Sequence, residues 1–261
     1  MDVYRPSESN GYGIVHINGS GWHSGLAYNT DQLKESVNGL PFIEALTDAG
    51  YTVFALNHRQ APRFRYPAAL EDVQRAVRYV RHNASHWGIR PDRIGANGGS
   101  SGGNLVSLLG TLPGEGEAAD IDPVNRESAR VQCVVARAAI LDMTTCLGFR
   151  VEPMIADYLG MLYPRREGMP PQPIEEGTYR EASPLTHVSP DTAPFLLIHG
   201  DADDVVPFDQ SVVFHEALQQ AGVASEFMPI PGGGHGPFPG AINPPDYLGA
   251  TVRWFDEHLR A

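Results

Sequence analysis

Short apolar runs alternate with longer amphipathic stretches along nearly the whole chain, and that alternation constrains the fold more than any other feature. Residues 12–17 are an apolar run, residues 40–49 carry apolar side chains at helical spacing and stop at Gly50, and residues 51–56 are apolar again. A helix is predicted over 67–86, with Pro67 in its first turn and Ala69, Val73, Ala76, Val77 and Val80 on one face. A short strand at 93–96, an apolar helix at Ser101–Thr111 and a continuous apolar run at 132–141 follow. A strand at 195–199, a helix at 208–221 stopped by Gly222, a strand at 224–230 and a helix at Tyr247–Leu259 complete the series. Strand–helix alternation of this kind predicts an α/β fold: a mostly parallel central sheet with helices on both faces, built by right-handed crossovers.

Two segments break the rhythm. Residues 143–192 separate two predicted strands by 50 residues, seven of them proline, which is too long for a crossover loop. Extra helices packed over one end of the sheet are expected there. Residues 113–128 are acidic and glycine-rich and read as a surface loop. With 261 residues, a single domain spanning 1–261 is expected.

Composition removes several classes of function. A net charge of −12 argues against nucleic-acid binding and against an anionic membrane surface, because both need a basic face. No apolar run approaches the ~18 residues of a membrane helix. The N-terminus has no charged region followed by an apolar stretch, so a cytoplasmic location is expected. Two cysteines, Cys133 and Cys146, make no disulfide framework. The 28 glycines and 22 prolines imply many turns, and some of those turns carry chemistry.

The most informative turn is Ile94-Gly95-Ala96-Asn97-Gly98-Gly99-Ser100-Ser101-Gly102-Gly103. It reads as strand, sharp turn and helix, and it contains G-x-S-x-G in the context that motif requires. A serine in such a turn stands clear of the backbone, and small neighbours let strand and helix approach closely. Both Ser100 and Ser101 fit the central position. Ser100 is preferred, because Ser101 then begins the helix and offers its backbone N–H to a developing anion. A phosphate loop would need a lysine, and none is present in the turn.

A serine hydroxyl needs a histidine to take its proton, and the histidine needs a carboxylate to fix its tautomer. His235 lies among Gly232, Gly233, Gly234 and Gly236, directly after a strand. Asp201, Asp203 and Asp204 follow the strand at 195–199. Three clustered carboxylates also suit calcium, but the spacing is not an EF-hand loop. The chain order serine, aspartate, histidine is that of α/β-hydrolases. Donors for an oxyanion are expected from the Ser101 amide and from Asn18-Gly19-Ser20-Gly21-Trp22, a glycine-containing loop after the first long strand.

These motifs together resemble the α/β-hydrolase esterases of the hormone-sensitive-lipase-like group, close to bacterial acetyl-xylan and feruloyl esterases. Asn18-Gly19-Ser20-Gly21-Trp22 is similar to the family's His-Gly-Gly-Gly-Trp. Arg59-Gln60-Ala61-Pro62 and Tyr66-Pro67-Ala68-Ala69-Leu70-Glu71-Asp72 resemble its Y-R-x-A-P…P-A-x-x-D stretch, and Gly98 to Gly103 its nucleophile elbow. His199-Gly200-Asp201-Ala202-Asp203-Asp204-Val205-Val206-Pro207 with His235-Gly236 is similar to H-G-x-x-D-x-x-V-P followed by G-H-G. That alignment selects Asp203.

The resemblance implies a serine carboxylic-ester hydrolase with Ser100, Asp203 and His235 as its triad and the amides of Ser20, Gly21 and Ser101 as its oxyanion hole. The expected partner is a small-molecule ester with a short acyl group, and no metal or organic cofactor is required. The rival readings are a serine peptidase or acyltransferase on the same fold, and a non-catalytic binding protein. Trp22 is expected to contact substrate, with Phe149, Met154 and Tyr158 of the long insertion lining the pocket. Two departures from the family pattern stand out. Its leading histidine is Asn18 and its middle glycine is Ser20, and the chain begins almost at the oxyanion strand. Asp2–Tyr4 is thus expected as a residual edge strand or the sheet as a smaller one, and any cover over the site comes largely from 143–192.

Overall fold

The computed structural model describes residues 1–23, 32–160 and 173–260. Seven strands form one sheet in the order β1-β3-β2-β4-β5-β6-β7. They are β1 (Asp2–Tyr4), β2 (Gly13–Ile17), β3 (Thr52–Ala55), β4 (Ile94–Gly99), β5 (Val134–Arg137), β6 (Phe195–Gly200) and β7 (Ser225–Ile230). All neighbours run parallel except β1, which pairs antiparallel with β3 through Asp2 and Ala55, Val3 and Phe54, and Tyr4 and Val53. The expected residual edge strand is therefore present.

Strands buried on both faces explain the near-continuous apolar runs. Alternate residues of each strand feed two cores. Val15, Ile17, Val134, Ala136 and Leu197 face one, with α2 (Ala68–His82), α4 (Ser101–Thr111) and α7 (Asp209–Gln220) packed over it. Ile14, Val135, Leu196 and Ile198 face the other, covered by α1 (Leu40–Asp48) and α8 (Tyr247–Leu259). Val73, Val77 and Val80 of α2 are fully buried, as their spacing requires.

Three boundaries differ from expectation by three residues or more, for identifiable reasons. The helix expected over 67–86 ends at His82, and a separate turn, α3 (Ala84–Trp87), follows after Asn83, whose side chain donates to the Tyr79 carbonyl. The strand expected at 93–96 continues to Gly99, because Gly98 and Gly99 still pair with Ala136 and Arg137 of β5. The run 132–141 yields a strand only to Arg137; Ala138 then takes φ +43°, and the chain leaves the sheet.

The long insertion does hold helices: α5 (Glu152–Leu159) and α6 (Pro173–Glu181), with short 3-10 turns at Met143–Thr145 and Pro184–His187. Residues 161–172 of that segment lie outside the described residues. Buried polar side chains of α7 and α4 fasten its two ends to the body of the fold. Gln210 Oε1 accepts from the Leu141 and Asp142 amides, and Asn104 Nδ2 donates to the carbonyls of Ile140 and Ala182. Both cysteines are buried and free.

Candidate active site

The turn between β4 and α4 has the backbone its sequence demanded. Ser100 sits at φ +55°, ψ −125°, a conformation that costs a non-glycine residue about 1–3 kcal/mol. Its amide donates to the Arg137 carbonyl at 2.8 Å, which holds the turn against β5. Gly102 passes directly under β2: a Cβ there would press into the Ile17 and Asn18 carbonyls, 2.7 Å from the second. The close strand–helix approach is thus a backbone contact, which explains why this position carries no side chain.

Ser100 Oγ lies 3.0 Å from His235 Nε2, and His235 Nδ1 donates to Asp203 Oδ2 at 2.8 Å. The three residues come from the ends of β4, β6 and β7, where open parallel sheets place their ligands. The Asp203 side chain is fully buried. Its Oδ1 accepts from the amides of Val205 and Val206, each at 2.9 Å. Burial pushes this carboxyl up, but hydrogen bonds from His199 and His235, the His235 charge and the Val206 amide outweigh it. The net effect holds the carboxyl well below the usual carboxylate range.

The neighbouring acids go elsewhere. Asp201 accepts from the Gly232 amide, bracing the turn before His235, and exposed Asp204 pairs with Arg150. Among the described residues no group of three or more His, Cys, Asp or Glu side chains is placed to hold a metal ion.

Two residues at the site escaped the sequence reading. His199 is fully buried; its Nε2 donates to Asp203 Oδ2 at 3.2 Å, and its Nδ1 faces the Ser211 hydroxyl at 2.8 Å. Its signal was an aspartate four residues on, at the end of an apolar strand. Arg137 ends β5 and is 6% exposed. It is the one charge inside the apolar run 132–141.

A cavity of about 320 Å³ opens over Ser100. Its walls include Gly19, Ser20, Gly21, Asn38, Arg137, Val151, Met154, Val205 and His235. The loop expected to supply oxyanion donors borders it, with one correction. The Ser20 amide is not open: it donates to the buried Ser101 hydroxyl at 3.0 Å, because the Ser101 side chain turns back toward the loop. The amides of Gly21 and Ser101 have no hydrogen-bond partner among the described residues. The Ser20 hydroxyl is buried and unpartnered.

Asn18 accounts for the other departure. Its Oδ1 accepts from His16 Nε2 at 3.1 Å, and its Nδ2 donates to the Leu33 carbonyl at 2.9 Å. The amide thus bridges β2 to the following loop.

Trp22 corrects a further expectation. It is fully buried and stacks on Tyr158 of α5, with ring centroids 4.3 Å apart, so it is core and does not wall the cavity. Tyr158 is core for the same reason, and Phe149 is exposed on the surface. Only Met154 of the three expected insertion residues reaches the cavity. The stack nevertheless links the insertion to the oxyanion loop. His23 reinforces it, with Nε2 3.2 Å from Asp157 and Nδ1 2.5 Å from the Gly21 carbonyl.

Sheet order, helices on both faces and the Ser100, His235 and Asp203 side chains meeting beyond the carboxyl ends of the strands define an α/β-hydrolase. The family model described as BD-FAE matches residues 1–218, and the chain belongs to that family, within the hormone-sensitive-lipase-like group its motifs resemble. It is 30% identical over 225 residues to the probable carboxylic ester hydrolase LipM of Mycobacterium tuberculosis, covering 84% of this chain and 48% of that protein. The chain spans about half the length of the first curated relatives it matches. Among solved structures, a truncated carbohydrate esterase from gut microbiota superposes with TM-score 0.79 at 30% identity, covering 99% of this chain and 90% of that one. An acetyl ester-xyloside bifunctional hydrolase from Caldicellulosiruptor lactoaceticus gives 0.78 at 29% identity, covering 97% and 85%. Among the described residues no helix is long and apolar enough to cross a membrane.

Proposed function

We propose that this chain is a serine carboxylic-ester hydrolase acting on small esters through an acyl-enzyme. The observation that carries the reading is the continuous contact from Ser100 Oγ through His235 to Asp203, at 3.0 and 2.8 Å. Ser100 attacks the ester carbonyl while His235 Nε2 takes its proton. Asp203 fixes the His235 tautomer and stabilises the imidazolium. The negative oxygen of the tetrahedral intermediate is met by the Gly21 amide and by the Ser101 amide at the N-terminus of α4. Collapse breaks the bond to the alcohol, which leaves with the proton from His235. Water then attacks the acyl-enzyme, giving its proton to His235, and the acid departs as Ser100 regains its hydrogen.

A cavity of about 320 Å³ walled by Val151 and Met154 of the insertion suits a short acyl group and supports that insertion as the cover of the site. The structural neighbours named for carbohydrate and acetyl esters support acetylated sugars as one substrate class. LipM, named as an ester hydrolase, supports this reading over a peptidase, an acyltransferase or a non-catalytic binding protein. The test is labelling by a fluorophosphonate and turnover of p-nitrophenyl acetate. Labelling confined to Ser100, with kcat reduced by several orders of magnitude in Ser100→Ala, is expected. Absence of both labelling and turnover in the wild type would sink the reading.

A further inference from the structure

Arg137 is a charge without an ion-pair or hydrogen-bond partner among the described residues, in a place where charges are costly. It is 6% exposed, and its Nε is fully enclosed with no hydrogen bond. No carboxylate among the described residues ion-pairs with it, and its guanidinium donates no hydrogen bond to the described protein. Its carbon Cζ lies 3.4 Å from the centroid of the Phe42 ring, so one face of the guanidinium is covered by an aromatic. Burial lowers its pKa to about 9, which leaves it charged at neutral pH.

The usual remedy for a buried arginine is a carboxylate. This chain has 31 acidic residues against 19 basic ones, so acids are not scarce. None of those among the described residues pairs with it. What the side chain borders instead is the cavity over Ser100. The guanidinium lies 3.6 Å from where a Cβ on Gly99 would stand, one residue from the proposed nucleophile. The same residue's carbonyl accepts from the Ser100 amide at 2.8 Å, so the arginine is anchored rigidly beside the reacting centre. Ala138, directly after it, is held at φ +43°, which is strained for a residue with a Cβ and ends β5 at Arg137.

We propose that Arg137 is a specificity-determining residue that binds a carboxylate carried by the ester substrate, so that the preferred substrates are anionic esters. The shared chemistry is one carboxylate within a few bonds of the scissile ester. It belongs either to the acyl part, as in a half-ester of a dicarboxylic acid, or to the alcohol part, as in an acylated uronate or hydroxybenzoate. A planar guanidinium with free N–H groups matches a carboxylate in two-pronged fashion. In a cavity partly shielded from water that contact is stronger than on a surface. In a chain of net charge −12, which repels anions at long range, the same contact makes a neutral and an anionic substrate distinguishable at close range.

The inference rests on the ester-hydrolase reading for the reaction, but the anion site stands apart from it, and the experiment separates the two. Two substrate pairs differ only in carboxylate against carboxamide. On the acyl side they are the p-nitrophenyl half-ester of glutarate and p-nitrophenyl glutaramate; on the alcohol side, para-acetoxybenzoate and para-acetoxybenzamide. The ratio of kcat/KM, carboxylate over carboxamide, is measured for wild type, Arg137→Met and Arg137→Lys after subtracting buffer hydrolysis.

The expected result is a fall of about 10-fold or more in that ratio for Arg137→Met in one pair, with Arg137→Lys retaining part of it. The pair that responds assigns the side. A smaller fall in both pairs overturns the proposal. Binding of glutarate and of para-hydroxybenzoate to Ser100→Ala, with and without Arg137→Met, is measured by calorimetry. Binding weakened about 10-fold or more by the second substitution supports the anion site even where no ester is hydrolysed; no binding of either, or binding unchanged, overturns it. Arg137→Gln, which keeps hydrogen-bonding capacity without charge, serves both measurements where the methionine variant does not fold.

Discussion

The backbone amide of Ser20 donates to the hydroxyl of Ser101 over 3.0 Å, joining the loop after β2 to the first turn of α4. Those two residues lie 81 positions apart in sequence, and Ser20 lines the cavity over the proposed nucleophile. The Ser101 side chain therefore ties down the loop after β2, while its amide is one of the two proposed to meet the oxyanion.

Ser101→Ala should separate the two adjacent serines. Removing its hydroxyl frees the Ser20 amide and loosens the loop without touching the contact from Ser100 to His235. We expect kcat for a p-nitrophenyl ester to fall about 10-fold, against several orders of magnitude for Ser100→Ala. The reverse order in steady-state kinetics would place the nucleophile at Ser101.

Gly102→Ala tests the close approach at the nucleophile turn. The added methyl meets the carbonyl oxygens of Ile17 and Asn18, which are backbone and cannot swing away. A loss of about 1–3 kcal/mol in urea unfolding is expected, with activity falling as the turn shifts. Gly177, exposed in α6 with open space around it, is the control. Alanine there should stabilise by up to ~1 kcal/mol, as for any helical glycine.

His199 supports Asp203 by donating to its Oδ2, the same oxygen that accepts from His235. His199→Phe removes one of the hydrogen bonds that hold the Asp203 carboxyl low, so its pKa rises toward the ordinary value. A carboxyl depressed on folding contributes stability that is present above its unfolded pKa, about 4, and lost as pH falls below it. The variant should be less stable near neutrality and should lose less further stability on acidification. Urea titrations between pH 3 and 6 check both, and equal acid slopes in the two proteins would count against the support. Activity should drop about 10-fold, because His235 is oriented by a less firmly held acid.

Much of this was readable from the residues. The alternation of apolar runs with amphipathic stretches implied the parallel sheet, and glycines around Ser100 and His235 marked turns whose purpose is to present a side chain. What was not readable depended on contacts between distant segments. The aromatic of the oxyanion loop reads as a substrate contact until Tyr158, 136 positions on, is seen stacked upon it. The Ser20 amide reads as open until Ser101 is seen to claim it. Arg137 was hidden by its own neighbours, since an apolar run draws attention to burial and away from the single charge it carries.

His16 yields a pH prediction of a different kind. It lies in β2 beneath the site, fully buried, with Nε2 on Asn18 and Nδ1 accepting from Asn97 Nδ2 at 3.0 Å. Burial first, and then the charge of Arg137, push its pKa down from 6.5 to about 3, against a smaller upward pull from Asn18. The folded protein thus keeps this imidazole neutral while the unfolded chain protonates it near pH 6.5. Stability is complete above that value and falls as pH drops through the window down to about 3, by up to ~1.4 kcal/mol per pH unit for one proton. His16→Gln removes the proton uptake, so the wild type's advantage over the variant should shrink steadily from pH 7 to pH 4. Arg137→Met, by removing a nearby positive charge, should raise the lower end of that window and narrow it, leaving the slope within it unchanged. Urea unfolding midpoints across that range measure both effects, and a wild-type advantage independent of pH would mean that His16 is already charged in the fold.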